Sequence, residues 1–339
     1  MTRRVLTFFA MLLVALTAFA GENRDRDILL TPDGILYTVE TAHDQSATYG
    51  NSAWFLSMSV HQGDSHSTFP VPGSLIGGAH SNPALGYDPE SRTLFLFWQE
   101  SLNGGLSSRL LFSSYHDGRW SDTQALDSVD WNLRRNLRIA VTRTAETIDN
   151  VGRRVPMPFV FVHAVWWEET GYGEWARYAL LGIENGIVTS KDIRFVGEFA
   201  GMKFDQTQQV LRNTADEIVR HPAVAAVPTR DSVDVVFGDA KENSMRRVRI
   251  KPVVDGRLRI PIGVRETNLR HAELNMTSNS RASAVVNEND LAFFAVSKKS
   301  VDYVIYRDGS WTTQRTIALT DDLSAETAVE ALRRLVAEQ

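Results

Sequence analysis

The chain has 339 residues, is 43% hydrophobic and 23% charged, and carries a formal charge of −5. That is an ordinary globular composition, able to bury a sizeable core. Its mild acidity gives no electrostatic reason to seek nucleic acid or anionic lipid. Cysteine is absent, which excludes disulfides, a thiol nucleophile, a lipoprotein anchor and any Cys-based zinc site.

Residues 1–20 read as a secretory signal peptide. Thr2-Arg3-Arg4 is a basic start, Val5 to Phe19 is apolar, and Ala18-Phe19-Ala20 is a small-residue cleavage site. The apolar run is shorter than the ~20 residues needed to span a bilayer. The mature chain is expected to begin near Gly21, with no membrane span after cleavage and a periplasmic or secreted location.

From Ile28 onward the chain repeats one unit of four short β-prone runs. The first copy turns at Pro32-Asp33-Gly34 and again at Gln62-Gly63-Asp64, and ends at Pro72-Gly73. The second, His80 to Leu126, has apolar runs at Ala84 to Tyr87, Leu94 to Trp98 and Leu110 to Ser114, with a fourth strand starting at Arg119-Trp120. Its Asp117-Gly118 pair is a strong hairpin signal, because a type I′ turn needs positive φ at both central residues.

The third copy starts at Arg138 to Val141. A polar loop, Arg143 to Arg154, precedes Pro158 to Trp167, and Tyr178 to Ile183 follows, turning at Asn185-Gly186. The fourth starts at His221 to Val224 and turns at Asp255-Gly256. The fifth runs from Ala282 to Ile317 and turns at Asp308-Gly309. Four-stranded units repeated in this way predict an all-β fold, a β-propeller of four-stranded antiparallel blades over 21–320. A β-sandwich is the competing architecture, but sandwich strands do not copy one another in groups of four. Five blades are visible; a sixth follows if Phe195 to Phe204 supplies strands of its own.

Four pieces read as irregular: Ser128 to Asn136, Arg143 to Arg154, Glu198 to Arg220, and Val264 to Arg281. Asp205 to Val219 has helical composition. The tail, 321–339, predicts a C-terminal α-helix capped by Asp322 or Ser324. Its stripe of Ala325, Val329, Leu332 and Val336 would dock on the propeller.

Strand order sorts the loops onto two faces. On the face where innermost strands begin stand His80, Asn82, Arg138, His221 and Arg281. The second-strand ends and second-to-third loops on that face carry Trp98, Glu100, Trp167, Glu168, Glu169, Trp175 and Asp239. Aromatic planes beside carboxylates suit a sugar, whose apolar ring face stacks and whose hydroxyls hydrogen-bond. Each tryptophan has a competing role in inter-blade packing, each glutamate in a solvated loop, and the histidines as channel-lining residues. His61-x-x-Asp64-x-His66 contains metal-ligand residue types but no spacing signature, and reads as a polar turn; no metal and no cofactor are expected.

Asp117-Gly118-x-Trp120 and Asp308-Gly309-x-Trp311, set in this blade rhythm, resemble the sialidase-like propellers with bacterial neuraminidase repeats. That family's box has one residue between its Asp and Gly, whereas here the two are adjacent. The family's Arg-Ile-Pro motif stands near its start; the Arg-Ile-Pro here is Arg259-Ile260-Pro261. No catalytic residue carries over. The five-bladed glycosidases acting on arabinan and fructan place an Asp on their first innermost strand; Ile28 to Leu30 has none, and Asp27 lies just before it. The leading expectation is therefore an exported, non-catalytic propeller binding a glycan or a protein partner through the channel-mouth face. The alternative is a glycan-active hydrolase or lyase.

Overall fold

The computed structural model describes residues 26–44, 52–126, 132–149, 151–170, 173–184, 187–195, 202–205, 210–213, 223–227, 231–239, 244–255, 260–269, 281–286, 290–296 and 299–320, with 323, 328, 331, 332 and 335 in the tail. The predicted signal peptide lies outside them, as does His221. Among the described residues, no helix is long and apolar enough to cross a membrane.

The fold is all-β, and the described residues form five antiparallel units. Blade 1 is β1 (Arg26–Leu30), β2 (Leu36–His43), β3 (Trp54–Gln62) and β4 (Ser65–Pro70). Blade 2 is β5 (Ala79–Asp88), β6 (Thr93–Leu102) and β7 (Ser107–His116), with a fourth strand broken into β8 (Arg119–Trp120) and β9 (Gln124–Ala125) that both pair with β7. Blade 3 is β10 (Leu133–Ile148), β11 (Arg154–Thr170), β12 (Gly173–Glu184) and β13 (Ile187–Phe195). A separate hairpin follows, β14 (Met202–Asp205) with β15 (Val210–Asn213). Blade 4 is β16 (Ala223–Ala226), β17 (Val233–Asp239), β18 (Ser244–Asp255) and β19 (Ile260–Leu269). Blade 5 is β20 (Arg281–Val286), β21 (Leu291–Val296) and β22 (Ser300–Arg307), with β23 (Ser310–Trp311) and β24 (Arg315–Ala318) sharing the outer edge.

The first strands of the five units, β1, β5, β10, β16 and β20, lie beside one another in that order. This makes them the innermost strands of a propeller. Each strand then turns alternate residues toward the blade on either side, and the core is a series of inter-blade layers. Tyr37, Val39, Leu56 and Met58 of blade 1 pack on Leu94, Leu96 and Trp98 of blade 2. Phe95, Phe97 and Phe112 of blade 2 meet Ile139, Val162, Ala164 and Trp166 of blade 3. Val165, Trp167 and Tyr178 meet Val233, Val235 and Ile250 of blade 4, and Val236 meets Phe293 and Tyr306 of blade 5. The far face of blade 5 is covered by Ala328 and Leu332.

The Asp-Gly turns behave as a type I′ turn requires: φ is 48° at Asp117 and 76° at Gly118, and 50° at Asp308 and 78° at Gly309. The tryptophan two residues past each glycine folds back on the layer below it. Trp120 lies 5.1 Å from Tyr115, and Trp311 lies 5.2 Å from Tyr306. Asp-Gly-x-Trp is thus a packing device here.

Several expectations need correcting. Arg143 to Arg154 is not a long loop: β10 runs to Ile148 and β11 starts at Arg154, with Thr147 opposite Val155 and Glu146 opposite Pro156. Ladder bonds satisfy these polar residues' backbones, and the end of β10 is held further by parallel pairing of Glu146 to Ile148 with Val253 to Asp255 of β18. Ser128 to Asn136 is not wholly irregular, since β10 begins at Leu133. Val264 to Arg281 likewise loses its first part to β19, the fourth strand of blade 4. Its run of Arg265, Glu266, Thr267 and Asn268 hides a strand because an outer edge buries little. Val210–Asn213 is a strand opposite β14, not a helix, and Met202–Asp205 and Val210–Asn213 pair as a two-stranded hairpin among the described residues.

The C-terminal helix is not supported as an element. Helical conformation is described only at Ala328, Ala331, Leu332 and Leu335; Ala328 and Leu332 are buried. The packed side therefore shares Leu332 with the predicted stripe but is marked by Ala328 and Leu335. Ala325, Val329 and Val336 lie outside the described residues.

Candidate functional site

The face where the innermost strands begin carries two carboxylates buried at equivalent places in blades 2 and 3. Glu100 stands near the end of β6, opposite Arg109 of β7, and is 1% exposed. Its Oε1 accepts from the Gly78 backbone N–H at 2.8 Å, and its Oε2 is bound by Arg109 Nε. The chain can come this close because Gly77 and Gly78 carry no side chain. A Cβ on Gly77, which has φ +93°, would lie 2.2 Å from Glu100 Oε1, and one on Gly78 would lie 1.9 Å from Ser101 O.

Two residues back on β6, Trp98 is fully buried and its indole N–H donates to His80 Nδ1 at 2.9 Å. That contact fixes the tautomer, so the other ring nitrogen, Nε2, donates to Ile76 O at 2.9 Å. Burial lowers the His80 pKa below the ordinary histidine value. His80 is therefore a neutral, doubly bonded strut and not a titrating base.

Blade 3 repeats the plan. Glu168 is 3% exposed. Its Oε1 accepts from Asn132 Nδ2 and its Oε2 from Trp166 Nε1, both at 3.1 Å. Arg134, itself 1% exposed, lies 3.5 Å from Glu168 Oε2, and Arg177 lies 3.7 Å away. Arg134 also donates through Nη1 to Ser108 O and to Asn132 O, the latter at 3.2 Å. It thereby ties blade 3 to the start of β7 in blade 2.

In sequence the two clusters are one pattern, Trp98-x-Glu100 with Arg109 and Trp166-x-Glu168 with Arg177 at the same offsets. The repeat was available to sequence reasoning; the burial of its carboxylates was not.

The other candidates fall in three groups. Trp98 and Trp167 stack in the inter-blade layers. Asn82 sits at a register break of β5 with φ 50° and donates to Gln99 Oε1 at 2.8 Å, while Arg138 is exposed on β10. Glu169, Trp175, Asp239 and Arg281 lie in β11, β12, β17 and β20, with side chains outside the described residues; His221 lies wholly outside them.

One residue with the right chemistry was missed. Trp54, the first residue of β3, is 47% exposed. It sits on the same face, with its ring 4.3 Å from that of its cross-strand partner His43. Thr41, on the same side of β2 as His43, reaches His80 O at 3.5 Å, so this aromatic platform adjoins the Gly77–His80 segment. Ser52 Oγ braces its base, lying 2.6 Å from Trp54 O and 2.5 Å from Gly78 O, to one of which its single O–H donates. On the opposite side of β3, a cavity of about 420 Å³ opens between Asp44, Phe55, Ser57 and Leu75. No sequence signal separates Trp54 from the buried tryptophans; only its place at a strand end on the rim does.

Blade architecture and a rim of this kind define the chain as a β-propeller protein. No protein-family model matches the sequence, and no curated protein matches it. Similar solved structures include a Hadza microbial sialidase, at 11% identity over 87% of this chain and 58% of that one, with a TM-score of 0.49. Others are the α-L-arabinofuranosidase of Fusarium graminearum (9% identity, 84% of this chain, 76% of that one, TM-score 0.44) and the intramolecular trans-sialidase of Ruminococcus gnavus (8%, 87%, 84%, 0.45). The chain spans a little over half the length of the sialidase.

Proposed function

We propose that the protein is an exported, non-catalytic propeller that binds a glycan at the rim where blades 1 and 2 meet. The observation that carries this reading is a division of labour on one face. The aromatic surface is open at Trp54, while the buried carboxylates of blades 2 and 3, Glu100 and Glu168, have each oxygen already engaged, as does Asp27 at the start of β1, through the backbone N–H groups of Ile28 and Leu85. A glycosidase acid or nucleophile needs an oxygen free to face the scissile bond, with a second carboxyl about 5–9.5 Å away. Buried and fully bonded, Glu100 and Glu168 do not offer that. A half-exposed indole does offer what a sugar's apolar face needs.

The purified protein on a glycan array is expected to give saturable hits, and incubation with each hit is expected to release no reducing ends. Turnover would reverse the assignment and move attention to Glu169 and Asp239 as the carboxylate pair. A blank array would sink the glycan reading and turn the search to protein partners.

The exported location rests on the basic, apolar and small-residue order of residues 1–20. Mass spectrometry of protein recovered outside the cytoplasm is expected to find Gly21 as the first residue. Recovery of the intact Thr2-Arg3-Arg4 start would overturn it.

A further inference from the structure

The end of blade 1 opposite Trp54 sets the two histidines of His61-x-x-Asp64-x-His66 face to face. β3 and β4 are joined by Gly63-Asp64 alone, with Gln62 opposite Ser65, and Gly63 takes φ 59°, the left-handed position that two-residue hairpin loops reserve for glycine. A loop that tight fixes the register. The ladder alternates, so the pair just inside the loop-closing one, His61 and His66, is a non-hydrogen-bonded pair, whose Cα atoms approach to about 4.5 Å.

Their imidazoles accordingly lie with centroids 4.2 Å apart and planes 22° from parallel. Both rings project on the face of blade 1 turned away from blade 2, since Val60 between His61 and Ser59 faces the core. Below them, His66 Nε2 lies 3.2 Å from Thr68 Oγ1, which is 2.9 Å from Ser59 Oγ.

We propose that His61 and His66 form a two-imidazole site for a borderline divalent transition-metal ion such as Cu²⁺, Ni²⁺ or Zn²⁺. Neutral imidazole nitrogens suit these ions, whereas Ca²⁺ and Mg²⁺ take oxygen ligands. Among the described residues no third His, Asp or Glu completes a cluster, so water fills the remaining positions. The ion would bridge the exposed edge strand β4 to β3 and so fasten the outer edge of blade 1. The site is independent of the glycan rim at the other end of the same blade.

Untagged full-length protein titrated calorimetrically with Ni²⁺ and with Cu²⁺ is expected to show one saturable site. His61→Ala and His66→Ala should each abolish it, and His116→Ala, at an exposed histidine of another blade, should leave it intact. The melting temperature should rise with metal in the parent and not in the two site variants, because a ligand that binds only the folded state stabilises it. All three variants should melt near the parent without metal. Absence of saturable binding by the parent, or equal binding by His61→Ala and His66→Ala, would overturn the proposal.

Discussion

Glu168→Ala should cost the fold about 3–5 kcal/mol, the penalty for leaving one member of a buried ion pair without its partner. Arg134 is 1% exposed and cannot swing its guanidinium into water, and the Trp166 indole N–H and the Asn132 amide would lose their acceptor as well. Glu100→Ala makes the contrast. Arg109 is 34% exposed on its side chain and can turn to solvent. The chief loss there is the acceptor of one Gly78 N–H, worth about 1–3 kcal/mol. Denaturant midpoints of the two variants are expected in that order, with Glu168→Gln between Glu168→Ala and the parent because it keeps an acceptor oxygen. If Glu168→Ala unfolds with the parent, Glu168 is not a structural strut, and a role at the surface returns.

That ordering bears on what the sequence could disclose. The turns are local, and they were legible: Asp117-Gly118 and Asp308-Gly309 adopt the positive φ values their type demands, and four-run units follow from the spacing of turns and apolar runs. The long hairpin of β10 and β11 was not legible, because Thr142 to Arg154 alternates too little apolar character to mark a ladder. Its pairing with β18 depends on residues more than a hundred positions away. The site residues failed to declare themselves for a related reason. Trp98-x-Glu100 and Trp166-x-Glu168 place one aromatic and one carboxylate on the same side of a strand, and a ligand or an internal arginine would fit that pattern equally well. Which one meets the carboxylate depends on the neighbouring strand, where Arg109 and Arg177 lie, and on the inward fold of Arg134. The histidine pair is a matter of register in the same way. Four residues stand between His61 and His66 in the chain, and only the two-residue loop makes them face each other.

Trp54→Ala tests the other half of the functional reading. An aromatic anchor at the centre of a binding surface contributes about 2 kcal/mol or more on truncation, so affinity for the array's hits should fall roughly thirtyfold or further. Stability should barely move. Trp54 is half exposed on the rim, with its ring against that of His43, so the change should fall near the range of surface substitutions, about 0.5 kcal/mol. Trp98→Ala should do the reverse. Its indole is fully buried against blade 1 and bonded to His80, so its removal opens a cavity worth about 3–5 kcal/mol while the rim that meets a ligand is untouched wherever the protein still folds. The two tryptophans lie on adjacent blades toward the same face, yet they should separate cleanly, one by affinity and one by unfolding midpoint. Undiminished glycan binding by Trp54→Ala would move the binding surface away from the rim of blades 1 and 2, toward Asn82 and Arg138 on the innermost strands β5 and β10. A loss confined to Trp54→Ala would fix the sugar on the indole, and would explain why this face can keep its carboxylates bonded inward: recognition there asks for an apolar plane and not for a charge.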